Sequence, residues 1–377
     1  MAILIGKTAT FVQILCLMRM FLSRIFKLSS AVAVVVISAM SCAPRDRYVT
    51  VTGFAQGGTY SVKFNLNGAG GMIRQSPEAI KDSIDAILGA VDKSLSGYNR
   101  NSLLTRFNDG EAIVPDRIFR DMYSRAYDVF ERTGGVVDAA SGPLFDLWGF
   151  GFKSGDFPDE ARIEKARARS GMGRLQRDLG AVLSAEGVLP PSALLDDPDA
   201  SLPVLNFNAI AQGYSCDLVA GYLYRLGVRD MMVDIGEIYC DGLNPSGKQW
   251  TIGIDKPSDG NNERGAELQA IFSVPQGPHG VVTSGNYRKF YVRNGKKYAH
   301  TVDPRTGYPV SHNLLSATIV AKDATTADAY ATYCMAVGLE ASKSFIESSP
   351  DMEGCLVYDD GDGFRTWCSS GFVLKEL

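Results

Sequence analysis

An aspartate and a threonine stand four positions apart in the run Ala327-Asp328-Ala329-Tyr330-Ala331-Thr332. On a helix, residues i and i+4 share a face one turn apart. A carboxylate and a hydroxyl so placed can share a hard cation, which takes oxygen ligands and keeps several waters; a capping aspartate with a back-bonded threonine uses the same pair. A second run, His300-Thr301-Val302-Asp303-Pro304-Arg305-Thr306-Gly307-Tyr308-Pro309, gathers an imidazole, a carboxylate and a guanidinium in a Pro/Gly turn. Imidazole titrates near neutrality and can move a proton, and the other two histidines, His279 and His312, lack such company. Asn206-Phe207-Asn208-Ala209-Ile210-Ala211-Gln212-Gly213-Tyr214 stands at the mouth of a helix. Free N–H groups and small residues there suit an anionic ligand, although capping accounts for the asparagines equally well. Thr283-Ser284-Gly285-Asn286 reads as a polar turn directly after a buried strand.

These four segments need a scaffold, and hydrophobic periodicity supplies one. Tyr48 to Leu66 reads as strands broken at Gly57-Gly58. Ser76-Pro77 opens a helix whose buried face is Ile80, Ile84, Ile87, Leu88, Val91 and Leu95. A second amphipathic helix follows Pro115 and stops at Gly134-Gly135, and Asp159 to Arg169 reads as a short charged helix. Ile210 to Leu226 forms a helix closed by Gly227. Short β-rich runs follow at Met231–Ile235, Trp250–Ile254, Leu268–Val274 and Val281–Thr283. Lys289 to Asp303 reads as one hairpin turning at Asn294-Gly295, with Tyr291 facing Tyr298. Ser316–Val320 is a strand, Ala324–Val337 a helix, and Cys355–Val357 and Phe364–Trp367 are strands. Mixed blocks of helix and strand define an α+β fold with antiparallel-rich sheets rather than a doubly wound one.

The 377 residues, 45% hydrophobic and 21% charged, are of ordinary globular composition. A net charge of −4 leaves no basic excess for a nucleic-acid partner. The N-terminus is set apart from the fold. Arg24 and Lys27 precede an apolar run from Leu28 to Met40, shorter than the roughly 20 residues a membrane span requires. Residues 1–41 are therefore expected to be an export signal with an extension before Met20. Ala39-Met40-Ser41-Cys42 resembles a bacterial lipobox, which implies a lipid on Cys42, a linker over 42–47, one catalytic domain over 48–377, and an exported, membrane-anchored, periplasm-facing protein. Beyond Cys16 and Cys42, the five cysteines (Cys216, Cys240, Cys334, Cys355, Cys368) show no metal-ligand spacing. They read as small buried hydrophobes, and Cys355 and Cys368 could bridge in an oxidising compartment.

The order of motifs resembles the ApbE-type FAD:protein FMN transferases from about Phe54 to Val337. The motifs are Gln56-Gly57-Gly58-Thr59-Tyr60, Leu95-Ser96-Gly97-Tyr98 with Asn101-Ser102 and Phe107-Asn108, Val137-Asp138, Leu147-Trp148-Gly149, Ala209 to Tyr214, Val233-Asp234-Ile235-Gly236, Thr283-Ser284-Gly285, His300 to Pro309, and Ala327 to Thr332. The resemblance implies an ApbE-like fold and Mg²⁺-dependent transfer of FMN from FAD to a threonine of an acceptor protein, with release of AMP. It implies Mg²⁺ held by Asp328, Thr332 and the carbonyl of Ala209. It also implies FAD contacts from Gln56, Tyr98, Ser102, Asp138, Asn206, Gln212, Thr283, Ser284, Gly285, His300, Thr301 and Val302. His300 is the candidate general base, with Asp303 orienting it or taking that role itself. The expected partners are FAD, exported acceptors such as redox-complex subunits, and a membrane. FAD hydrolysis at the same site, or flavin binding without turnover, are the alternatives. The chain departs from the family pattern at Gln56-Gly57-Gly58 (usually Met-Gly-Thr), at Gln212 (often Lys or Glu) and at Ile235-Gly236-Glu237, one glycine short.

Overall fold

Eight strands pair edge to edge in the order in which they occur in the chain. They are β1 (Tyr48–Ala55), β2 (Gly58–Asn65), β3 (Met231–Asp234), β4 (Ile238–Asp241), β5 (His279–Gly285), β6 (Leu314–Ala321), β7 (Glu353–Asp359) and β8 (Phe364–Cys368). Every neighbouring pair is antiparallel. The computed structural model describes residues 47–150, 158–197, 199–202, 204–258, 261, 265–286, 290–293, 296–299 and 301–375, with 290–293 and 296–299 described as backbone. The expected leader, the expected turn at Asn294-Gly295 and His300 lie outside the described residues. Tyr48–Leu377 is one compact unit.

The helices fall largely between β2 and β3. They are α1 (Pro77–Leu95), α2 (Leu103–Asn108), α3 (Arg117–Arg132), α4 (Gly142–Leu147), α5 (Glu160–Ala168) and α6 (Ala211–Leu226), followed after β6 by α7 (Ala324–Val337) and α8 (Leu339–Glu347). Helix α1 begins where Ser76 accepts from the Ala79 N–H, with Pro77 at the first position. Helix α6 ends at Gly227, left-handed at φ 95°. Strand alternation divides the buried residues between two layers. On β5, Val282 packs with Ala327, Ala331 and Cys334 of α7. Its neighbour Val281 faces the other way, onto Trp250 and onto Ile252 and Phe272 of a small three-stranded sheet formed by Thr251–Asp255, Leu268–Ser273 and Leu374–Lys375.

Three expectations change. The break after β1 is at Gln56-Gly57, with Gly58 already in β2. Gln56 has φ 52° and Gly57 φ 80°, so this two-residue turn places a non-glycine residue in the left-handed region. Thr283, Ser284 and Gly285 are not a turn: β5 continues through them, opposite Thr318, Ala317 and Ser316. The Thr283 and Thr318 hydroxyls, 2.8 Å apart, hydrogen-bond across the strands and extend the ladder. The expected single hairpin is two. Phe290–Arg293 pairs with Lys296–Ala299, Tyr291 opposite Tyr298 as read, and then Val302–Asp303 pairs separately with Tyr308–Pro309.

Candidate functional site

Helices α6 and α7 approach so closely at their N-terminal ends that side chains are excluded. A Cβ on Gly213 would lie 2.2 Å from the Ala324 carbonyl oxygen, and strand β5 comes as near, a Cβ on Gly280 lying 2.3 Å from the Ala324 Cα. Asp217 fastens the contact: its carboxylate accepts from the Ala324 N–H (2.9 Å), the Thr325 N–H (3.0 Å) and the Thr325 hydroxyl. Asp323 caps α7 through the Thr326 N–H at 2.7 Å. The first-turn N–H groups of α7 are thus satisfied by two carboxylates, as an N-terminus requires.

One turn further along α7, Asp328 is buried, and its Oδ2 accepts from the Gly213 N–H at 3.0 Å. Asp328 therefore sits on the opening turn of α6, immediately after Ala209 and Ile210. Burial, then the nearby Glu237 carboxylate, hold its proton affinity well above the ordinary carboxylate range, against the pull of the Gly213 bond. Asp217, which burial pushes up to about 6, adds to this field. Thr332 follows Asp328 by one turn on the same helix and is half-buried.

Two loops converge on the same helix end. Gln56 donates through Nε2 to the Ser215 hydroxyl, which donates to the Ala211 carbonyl at 2.8 Å. Gln56 Oε1 is buried with no hydrogen-bond partner among the described residues. Gln212 lies against the β3–β4 turn. Its Nε2 points at the Ile235 carbonyl (3.4 Å), and a Cβ on Gly236, at φ 96°, would come within 2.4 Å of that nitrogen. The Cys216 thiol donates to the Glu237 carbonyl at 3.0 Å. The turn around Gly236 is therefore tightly fitted to Gln212.

Asn206 and Asp138 occupy adjoining segments. The Asn206 N–H donates to the Ala139 carbonyl (2.7 Å), and its side-chain oxygen accepts from the Asn208 N–H (2.9 Å), turning the chain toward α6. With Ala139, Ala209 and Ile210 it lines a small cavity closed by Ala126, Val129 and Val137. Asp138 Oδ1 accepts from the Ala140 (2.8 Å) and Met172 (3.0 Å) N–H groups, and burial raises its carboxyl to about 6 despite those bonds.

The Thr301–Pro309 segment packs against α7 through Val302–Asp303. Asp303 is buried, and both its oxygens accept from the Arg305 guanidinium at 3.0 and 2.8 Å, while its carbonyl closes the turn onto the Gly307 N–H at 2.8 Å. Trp148 donates to the Gly307 carbonyl at 2.8 Å. Val302 is a core residue among Leu144, Trp148, Ile163 and Ala166. Thr301 is buried, its carbonyl bonded to the Val310 N–H.

The structure thus gathers Gln56, Ala209, Gln212 and Asp328 around the opening of α6. Ser102 is placed differently from a ligand contact: fully buried, it caps α2 through the Thr105 N–H and donates to the Ser96 carbonyl at 2.6 Å. Tyr98 projects from the same loop, 74% exposed. On β5, Thr283 is engaged with Thr318, and Ser284 and Gly285 complete the strand. Among the described residues no three His, Cys, Asp or Glu side chains converge as metal ligands. Asp328 and Thr332 instead offer a carboxylate and a hydroxyl one turn apart on α7, oxygen donors of the kind a hard cation takes. Sequence reasoning did not single out Asp217, Ser215 or the carboxylate of Glu237. An acidic residue on the buried face of α6 was the available signal for Asp217.

The family model described as the ApbE family matches residues 56–356. The FAD:protein FMN transferase of Escherichia coli K12 is 31% identical over 338 residues, 87% of this chain and 90% of that protein. The protein of the same name in Haemophilus influenzae is 30% identical, with 89% and 94% covered. Flavin transferase ApbE from Vibrio cholerae superposes with a TM-score of 0.71 at 29% identity, covering 87% of this chain and 100% of that one. The apo form of the Pseudomonas stutzeri flavinyl transferase ApbE gives 0.71 at 31% identity, with 86% and 95% covered. Fold and sequence together define the flavin-transferase class, with its mixed helices and antiparallel sheets. The chain belongs to the ApbE family.

Proposed function

We propose that this chain transfers FMN from FAD to a threonine hydroxyl of an acceptor protein and releases AMP. The chain is an enzyme of the flavin-transferase class, and relatives named FAD:protein FMN transferase match it over nearly their whole length. The observation that carries the finer reading is the buried Asp328 carboxylate at the opening turn of α6, with Glu237 and Asp217 close by. A buried carboxylate in a field of like charge is costly unless a cation or proton accompanies it. Asp328, Thr332 and the Ala209 carbonyl fit Mg²⁺, which when bound would offset charge on the pyrophosphate of FAD.

The chain's own residues bind, orient and move the proton. Gln56, Gln212, Asn206 and Asp138 border the flavin nucleotide, with Tyr98 at the exposed rim. Ser102, Thr283, Ser284, Gly285, Thr301 and Val302 shape the walls rather than present free side-chain donors. The acceptor threonine Oγ forms a bond to the FMN-side phosphorus, the bond from that phosphorus to the bridging oxygen breaks, and AMP leaves with the oxygen. The hydroxyl proton passes to a general base, His300. Asp303, both oxygens engaged by Arg305, holds the turn that follows in the chain.

Export and lipidation at Cys42 would place this reaction at a bacterial membrane, facing the periplasm, where redox-complex subunits are the fitting acceptors. The deciding experiment incubates purified protein with FAD, Mg²⁺ and a threonine-containing acceptor domain. Fluorescent flavin on the acceptor in a denaturing gel is the expected result. AMP without such a band would make the protein an FAD hydrolase, and neither product would leave only flavin binding. Loss of the protein from the membrane fraction on Cys42→Ala tests the anchor.

A further inference from the structure

We propose that Cys355 and Cys368 are a disulfide-forming pair, in which Cys368 reacts first with an external disulfide and Cys355 then closes the bridge. The two cysteines face each other directly across β7 and β8. The adjacent position fixes the kind of pairing. The Ser369 N–H donates to the Gly354 carbonyl at 2.9 Å, which makes Gly354 and Ser369 a hydrogen-bonded pair, so Cys355 and Cys368 form the next, non-hydrogen-bonded one. Such pairs have Cα atoms about 4.5 Å apart with their side chains drawn together, within the span a disulfide bridges. The sulfurs are already in hydrogen-bond contact at 2.9 Å.

The two positions differ in access. Cys355 is 1% exposed, packed with Trp250, Ile252 and Phe272, whereas Cys368 is half-buried on β8, the last strand of the sheet. The hydrogen-bond contact with Cys355 holds the Cys368 thiol below its ordinary range. The same contact, then burial, push Cys355 up. Attack by thiolate is the productive route in exchange. The Cys368 thiolate attacks one sulfur of an external disulfide and expels the other as a thiolate, leaving a mixed disulfide on Cys368. The Cys355 thiol loses its proton, attacks the Cys368 sulfur and expels the second external thiolate. Both leaving groups take up protons. Two protein thiols are oxidised and one external disulfide becomes two thiols. Cys216, Cys240 and Cys334 have no thiol opposite them among the described residues, and each is buried.

The probe is oxidised glutathione, added to the full native chain, followed by acid quench and peptide mapping. Wild type should yield a Cys355–Cys368 linked peptide two hydrogens lighter than the reduced pair, with no glutathione retained. Cys355→Ser should trap one glutathione on Cys368, and Cys368→Ser should leave Cys355 unmodified in the native state. Oxidation should raise the wild-type Tm by roughly 5 °C or more, as closing a loop of this length implies, and should not move that of the double serine variant. The proposal is overturned if both thiols of wild type still alkylate after exposure. It is equally overturned if Cys355 in the Cys368→Ser variant takes up glutathione as fast as Cys368 does in the Cys355→Ser variant. Should either variant not fold, the wild-type map alone decides.

Discussion

Asp328 Oδ2 accepts the Gly213 N–H at 3.0 Å across two helices whose residues lie 115 positions apart in the chain. That bond exists only because Gly213 has no side chain. A methyl there would sit 2.2 Å from the Ala324 carbonyl oxygen, and backbone must move to admit it. Gly213→Ala should lower stability by about 1–3 kcal/mol and activity with it, read from urea unfolding and flavin transfer. An unchanged midpoint would show that the two helices are not held in this contact.

Asp328→Asn separates charge from packing. The amide oxygen can still accept the Gly213 N–H, and the buried negative charge beside Glu237 is removed. Without added divalent cation the variant should unfold at the same urea concentration as wild type or a higher one. Flavin transfer should fall by about 100-fold or more, since losing a partner that merely orients a metal ligand already costs roughly 10–100-fold. Retained activity would take the carboxylate out of the cation site.

Asp138 predicts a pH dependence. Its carboxyl titrates near 6 in the folded protein against an ordinary value near 3.8, because of burial. A raised value means that the folded state holds the proton more tightly, so this group's contribution to stability is full below about pH 4 and is lost as pH rises to about 6. Asp138→Asn keeps an oxygen for the Ala140 and Met172 N–H groups. The variant should match wild type at pH 4 and exceed it above pH 6 by up to about 3 kcal/mol, two pH units being worth roughly that much. A constant difference across this range would contradict the assignment.

Gln56 and Ser215 should behave as a pair. The glutamine holds a left-handed φ of 52° that glycine would adopt without strain, while its amide reaches Ser215. Gln56→Gly should therefore be nearly neutral, with strain relief offsetting the lost bond. Ser215→Ala, which leaves the amide buried without that acceptor, should lose about 1–3 kcal/mol. A double-mutant cycle measured by thermal unfolding should give a coupling on the order of 1 kcal/mol; zero coupling would mean that the two side chains act independently.

His300 and Asp303 divide the proposed proton transfer. His300→Ala should lower kcat roughly 10²–10⁴-fold, the usual contribution of a general base, with KM for FAD little changed. Asp303→Asn weakens the paired hydrogen bonds with Arg305 and should mainly raise KM, with loss of thermal stability. The opposite pattern would move the base role to Asp303.

Local signals announced the elements that present the site better than the contacts within it. Ser76-Pro77 marked the start of α1, Gly227 marked the end of α6, and the spacing of Asp328 and Thr332 placed both on one helix because each rule acts over a single turn. Thr283-Ser284-Gly285 misread as a turn because its strand character comes from pairing with Thr318, Ala317 and Ser316, a partner that lies 35 positions from Thr283 at the hydroxyl contact. Asp217 escaped notice for a similar reason. Its three donors belong to a helix 107 and 108 residues away, and nothing near Asp217 in sequence reveals that an N-terminus will dock there. Ser102 shows the opposite case, in which a residue within a family-like motif serves as a helix cap.

The sheet order carries a kinetic consequence. Pairing β2 with β3 joins Phe64 to Met231, so the hairpin of β1 and β2 waits for the entire intervening helical region before it gains a third strand. A lone two-stranded hairpin is marginal in water, and contacts so distant in sequence slow the search for the native state. Helix α1 follows at once and covers one face of the hairpin, with Ile80, Ile84 and Leu88 among Val51, Val62 and Phe64, so what stays open until Met231–Asp234 is made is the β2 edge, a template for pairing with another chain.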